Sequence, residues 1–385
     1  MTTTSFGRLA RSVALSAALC AAGADPVLAQ ADPLANCRYY TKTQADFEQG
    51  LTHCRAAIEK YPEDPEARFY GAWCLAETGH WEEAWKSFSW LIERKDSSDK
   101  KIRKHADLAE KQALFYYQTH YNRGLELVDA EKYEEAGAEF AIATKIYPSY
   151  IEAHLNHGFT QTQREDLDGA LASFEAAVAM NPKHLQAQLY YWDALNQKLK
   201  QLRSAEPRDT AAIDETSQKL AATLTAVLEL ADVKTEDRAA AYMQLADLAF
   251  AKGENQKAIE YVTKATEIAP EKITELYNMG IEFYNADDYG PAIQALRTVM
   301  TQVGDESDEL WRRSAYVVGL SSLYTGDYAG CIASMDKLIA LDPGNMDYYL
   351  NRGKAHAKAG NESAAAADIT KYEQMKEAAA TGSSK

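Results

Sequence analysis

Pro148 closes the stretch ATKIYP, and Pro182 closes AVAMNP 34 residues later. Pro270 closes TEIAP and Pro343 closes IALDP in the same way. Each proline follows an amphipathic run of helical period, which it cannot continue because it has no N–H to give to the helix ladder. About twelve residues before each proline stands a small residue: Ala136, Ala170, Ala258 and Cys331. Earlier still comes a turn beginning with glycine, as in Gly79-His80-Trp81, Gly253-Glu254-Asn255 and Gly326-Asp327-Tyr328. Before the turn lies a second amphipathic run with a small residue midway: Ala72, Gly124, Gly158, Ala246, Gly280, Gly319 and Gly353. A supersecondary unit recurring at a fixed period constrains the fold more than any composition can. A single unit of two amphipathic helices cannot bury its apolar faces, so successive units must stack.

Taken together, these positions resemble the tetratricopeptide repeat, a helix–turn–helix unit of 34 residues. The family pattern places a large residue at position 4, Leu at 7, Gly or Ala at 8, Tyr at 11, Ala at 20 and 27, an aromatic at 24 and Pro at 32. Tyr242, Leu245, Ala246, Ala258, Ala265 and Pro270 match it in 239–272. Gly124, Ala136, Phe140, Ala143 and Pro148 match it in 117–150, and Gly158, Ala170, Phe174, Ala177 and Pro182 in 151–184. Further units begin near 65, 273, 312 and 346. Residues 45–62 read as a lone second helix. Ala315 and Cys331 depart from the pattern in ways that affect packing rather than fold. The resemblance implies an all-α, right-handed superhelical solenoid of about eight or nine units. The expected organisation is a leader over 1–31, N-terminal units over 32–184, an enlarged unit with long helices over 185–238, C-terminal units over 239–376 and a disordered tail over 377–385.

The leader has the three parts of a secretory signal. Arg8 and Arg11 precede an apolar run from Val13 to Ala22, followed by small residues at Ala29 and Ala31. The run is too short to span a bilayer. Leu19 ahead of Cys20 disfavours lipidation at that cysteine. The expected location is therefore outside the cytoplasm, in the periplasm of a Gram-negative envelope. Loss of 1–31 removes two arginines and one aspartate, so the net charge moves from −16 to −17. Such a surface repels a phosphate backbone, which argues against a nucleic-acid partner.

In an oxidising compartment Cys37, Cys54, Cys74 and Cys331 gain a second meaning. Four cysteines allow three full pairings, and sequence does not choose among them. Cys37–Cys54 is favoured because it would tie the first ordered residues to the first strong helix. The alternative is a set of small buried thiols.

No compact catalytic motif occurs: no G-x-S-x-G, H-E-x-x-H, C-x-x-C or Walker-type glycine loop. The pair His154 and His157 shares a helix face, with His120 one unit earlier, and could begin a zinc or copper site. The repeat places His154 and His157 at positions 4 and 7, which face helix packing, so no metal, cofactor or catalytic residue is assigned. The cation-rich run from Arg94 to Lys111 reads first as a solvated linker and helix, and in a sharper form as a dock for an acidic partner or lipid headgroups.

In the family, positions 2, 5, 9, 12 and 13 of the first helix line a concave groove. Position 5 here reads Phe69, Tyr121, Leu155, Tyr277 and Tyr316; position 9 adds Trp73 and Phe159; position 12 adds Phe250 and Tyr284. Position 6 supplies Asn122, Asn156, Asn278 and Asn351, whose amides could hold a peptide backbone. The resemblance thus implies a non-enzymatic scaffold that binds protein segments of the cell envelope, with self-assembly open. A component of a secretion or polysaccharide-export complex is the alternative.

Overall fold

The computed structural model describes residues 32–382, with side chains to residue 380. The leader, Cys20 included, lies outside the described residues. No strand occurs among the described residues, and none of their helices is long and apolar enough to cross a membrane. The chain forms two compact units that meet between Arg164 and Glu165, inside the N-terminal block expected from the sequence.

The first unit opens with a short helix α1 (Pro33–Arg38), a π-helical turn over Tyr39–Gln44 and α2 (Phe47–Lys60). The helix over 47–60 is therefore not alone, contrary to the sequence expectation. The short and irregular α1 escapes notice because two turns carry too little periodicity to recognise. A disulfide joins Cys37 to Cys54. Thr41 sits beside it: its hydroxyl donates to the Cys37 carbonyl at 2.7 Å and lies 3.0 Å from the sulfur of Cys74. All three cysteines are fully buried. Space here is so short that a Cβ on Gly50 would come within 2.8 Å of the Cys74 sulfur.

Next come α3 (Pro65–Glu77), α4 (Trp81–Ile92), α5 (Lys100–Asp129), α6 (Tyr133–Ile146) and α7 (Ile151–Gln163). Asp64 starts α3 by accepting the N–H groups of Glu66 and Ala67 at 2.9 and 3.0 Å, two donors a helix start leaves open. Burial alone would raise the Asp64 carboxyl. The Lys101 ammonium at 2.7 Å and the capped N–H groups outweigh it and hold the acid below its usual range. Helix α5 is a 30-residue rod, in which the expected start at 117 is only a midpoint. Its second half packs on α6 through Gly124, where a Cβ would stand 2.6 Å from the Phe140 ring. That vacancy admits a fully buried phenylalanine, worth roughly 2–3 kcal/mol of transfer free energy. Trp85, Tyr147, Tyr150, Tyr117 and Tyr121 form a continuous aromatic stack, with successive ring centroids 4.4–5.4 Å apart.

The second unit contains α8 (Leu167–Met180), the long pair α9 (Leu185–Ser204) and α10 (Thr210–Glu229), then α11 (Thr235–Ala251) and α12 (Asn255–Ile268). It continues with α13 (Ile273–Asn285), α14 (Tyr289–Val303), α15 (Glu309–Thr325), α16 (Tyr328–Leu341), α17 (Met346–Lys358) and α18 (Glu362–Gly382). The last helix continues past Glu377 into the stretch expected to be a disordered tail. The same small-to-large device recurs in this unit. A Cβ on Gly280 would meet Leu296 at 2.6 Å, and one on Gly319 would meet Met335 at 2.5 Å. In each case the partner lies sixteen positions on, which is position 8 against position 24 of the repeat. Arg352 of α17 clamps α18 by two hydrogen bonds to the buried Asp368, at 2.6 and 2.8 Å.

Candidate functional site

The first-helix residues singled out by position separate into three groups. Phe69, Leu155 and Asn351 are buried, at 5%, 7% and 6% exposure, and are closed to a ligand. Phe69 packs its ring on Tyr70, Trp73 and Phe88. Position 5 faces the neighbouring helix as much as the groove, so a large ring there is absorbed by the stack.

The second group is half-buried and already engaged. Trp73 donates from its indole to Glu77 at 3.3 Å. Phe159 sits edge-on to Tyr133 at 6.2 Å. Asn156 donates to the Tyr121 hydroxyl at 2.9 Å, and Asn351 donates to the Tyr316 hydroxyl at 3.2 Å. Both pairs span 35 positions, linking position 5 of one repeat to position 6 of the next. Burial raises the Tyr121 and Tyr316 phenols above their ordinary value, so both stay protonated and can receive the amide at neutral pH. Two of the four groove asparagines therefore bind the chain's own tyrosines.

The third group is open. Asn122 and Asn278 are exposed. The preceding repeat offers Asn278 Met243 where Asn156 and Asn351 find a tyrosine. Tyr277, half-buried, stands beside Asn278, and nearly two turns on lies Tyr284, also half-buried. Tyr284 belongs to a cluster of three tyrosines: its ring lies 5.8 Å from Tyr289 and 6.5 Å from Tyr324. Tyr289 and Tyr324 stack at 5.0 Å with 20° between their planes, and Tyr324 is 60% exposed. Phe250, 38% exposed, packs edge-on against the buried Phe283 at 5.4 Å.

The turn before α14 positions this cluster. Asp287 holds a left-handed backbone, φ 59°, and accepts the Tyr289 hydroxyl at 2.6 Å. That bond, with lesser help from desolvation and charge, pushes the phenol up to about 12. Asn255 donates to Asp288 at 2.7 Å and so ties the start of α12 to the start of α14. Sequence reasoning missed Tyr289 and Tyr324. Tyr324 stands at position 13 and was within reach of the groove rule; Tyr289 begins a second helix, where that rule does not look.

The histidines are held by the chain. His154 donates from Nε2 to the Pro148 carbonyl at 3.1 Å, and burial lowers its imidazole so that it is neutral at pH 7. His120 bonds Glu139 at 2.6 Å and meets the Trp81 ring at 5.0 Å. Among the described residues no group of three or more His, Cys, Asp or Glu is arranged to hold a metal ion. A cavity of about 400 Å³ lies away from the groove rows, lined by Arg203, Arg208, Asp214 and Lys252 beside Ile213 and Leu248.

Family models described as tetratricopeptide repeat match residues 239–272, and also 43–98, 121–184 and 319–381. Together they span more than half of the chain. The chain belongs to the tetratricopeptide repeat family. Its architecture is the all-α repeat solenoid of that family, and a tetratricopeptide repeat array is a scaffold for protein interaction. No curated protein matches it. Among solved structures it is similar to a tetratricopeptide repeat protein from Parabacteroides merdae, at 15% identity over 68% of this chain and 93% of that one, TM-score 0.35. It is similar to PilF of Pseudomonas aeruginosa at 16% identity, covering 62% and 96%, TM-score 0.32. It is similar also to MamA from Desulfovibrio magneticus at 16% identity, covering 49% and 96%, TM-score 0.28. None of these likenesses is close enough to add to the family match.

Proposed function

We propose that this tetratricopeptide repeat protein is an exported, non-enzymatic scaffold of the cell envelope that holds an extended protein segment on the aromatic surface of its second unit. The observation that carries this reading is the stacked pair Tyr289 and Tyr324 with Tyr284 beside it, a cluster in which Tyr324 is 60% exposed and presents the two half-buried rings at the surface. Aromatic rings supply large contact area at little entropic cost and dominate protein interfaces. Asn278 adds an unengaged amide nearly two turns before Tyr284, able to bond a peptide backbone without reading its side chains. The leader-like opening and the Cys37–Cys54 disulfide support export.

Site-specific photocrosslinking tests this in the native host. A crosslinker at Tyr324 should give a discrete protein adduct, and one at the exposed Glu260 of α12 should not. Tyr284→Ala should weaken capture at Tyr324. Adducts only to the chain itself, or the same adducts from both positions, would sink the reading.

A further inference from the structure

We infer that the first half of α5 is a docking ridge for an anionic lipid surface. At 3.6 residues per turn, Lys100, Lys104, Leu108, Lys111 and Phe115 fall within an arc of ~80° on one helix face. The ridge they form is about 22 Å long. All five are exposed; Leu108 is 38% and Phe115 58% exposed, although both are large and apolar. Among the described residues, Lys100, Lys104 and Lys111 make no ion pair. Their neighbours are otherwise occupied: Lys101 pairs with Asp64 at 2.7 Å and with Glu66 at 3.8 Å, and Arg103 donates to the Ser97 carbonyl at 2.5 Å. Asp107 is the one carboxylate on the ridge. The shallow surface between these side chains is lined by α5 alone, with no facing element.

Chemistry and shape select the occupant. A peptide needs a groove with pockets for its side chains, and this is a ridge on a single helix. Carboxylates of a protein partner are best held by the planar fork of arginine, and protein interfaces are depleted in lysine. Here the unpaired cations are lysines, point charges suited to a diffuse anionic plane. Leu108 between two lysines and Phe115 one turn beyond Lys111, all on one face of a helix, is the arrangement of a helix lying at a headgroup boundary. A chain of net charge −16 would approach such a plane by this face and turn its acidic faces away.

Vesicle co-sedimentation of the purified protein tests the assignment. The probes are phosphatidylcholine vesicles with and without phosphatidylglycerol, with polyglutamate as an acidic polymer control. The protein should bind only the vesicles containing phosphatidylglycerol, and binding should fall as salt rises from ~0.1 to ~0.5 M. Lys104→Glu with Lys111→Glu should weaken binding by about tenfold or more. Phe115→Ser should weaken it without changing the salt dependence. Both variants alter exposed positions, and circular dichroism would verify their helix content. Equal binding to both vesicle types, binding unchanged in either variant, or binding to polyglutamate alone would overturn the proposal.

Discussion

The Asn351 amide donates to the Tyr316 hydroxyl at 3.2 Å and to the Asp347 carbonyl at 2.9 Å. The side chain is 6% exposed, so its bonds lie within the stack. Tyr316→Phe should cost about 1 kcal/mol and Asn351→Ala about 1–2 kcal/mol. Asn278→Ala, at the equivalent but exposed position, should leave stability within ~0.5 kcal/mol of the parent. Urea unfolding of the three variants checks this, and equal costs at 278 and 351 would contradict the division of the asparagines.

Among the described residues Arg352 is the one cation paired with the buried Asp368, which it grips by two hydrogen bonds, while it also bonds Asp336 at 2.5 Å. Arg352→Ala would leave a buried carboxylate without its partner, at a cost of roughly 3 kcal/mol. Because α18 packs chiefly on α17 among the described helices, the loss should be local. Hydrogen exchange should speed up in α18 first, while α3 and α4 keep their protection.

Burial pushes the thiols of Cys74 and Cys331 up to about 11. An unfolded thiol titrates near ~8.5. A raised folded value contributes stability that is fully present below the unfolded value and is lost as pH rises through the folded one. The unfolding midpoint should therefore decline between about pH 8.5 and 11. Buried tyrosines such as Tyr70 and Tyr121 are raised too and act in the same direction. Cys331→Ala isolates one thiol and should make the decline shallower. In the native protein at pH 8 neither thiol should react with a disulfide reagent.

Glu131 turns the chain between α5 and α6 with φ 58°, a backbone that glycine adopts without the Cβ penalty. Glu131→Gly should stabilise the protein by about 0.5–1 kcal/mol, since relief of the turn exceeds the entropy glycine adds to the unfolded chain. Calorimetry would show the gain as a raised Tm; a lowered Tm would mean that the glutamate side chain has a role at that turn.

Where residues recur at fixed spacing, the sequence was readable. Gly124 against Phe140 and Gly280 against Leu296 follow from position alone, because a missing Cβ and a large side chain sixteen residues on require each other. The groove was less readable, because one position serves two surfaces: Tyr277 stays half-buried while Phe69, at the same position, is fully absorbed by its neighbours. No rule written for one repeat could show that Asn156 and Asn351 would turn to the tyrosine of the repeat before. The pairing depends on which residues two successive units bring. The α1 helix and the continuity of α5 from Lys100 through to Asp129 were missed because neither fits the helix lengths of the repeat.

Arrays of paired helices flex mainly at the short turns between one pair and the next. Between the pair over 65–92 and the helices over 133–163 the turns at 93–99 and 130–132 are held apart by a single long helix. One unbroken helix of 30 residues, about 45 Å long, packs against α3, α4 and α6, and its Tyr121 takes a hydrogen bond from Asn156 of α7. A spring with two adjacent coils welded to one bar does not stretch at the weld. Under tension along the chain, this helix would hold its length and the turns at 93–99 and 130–132 would yield before it.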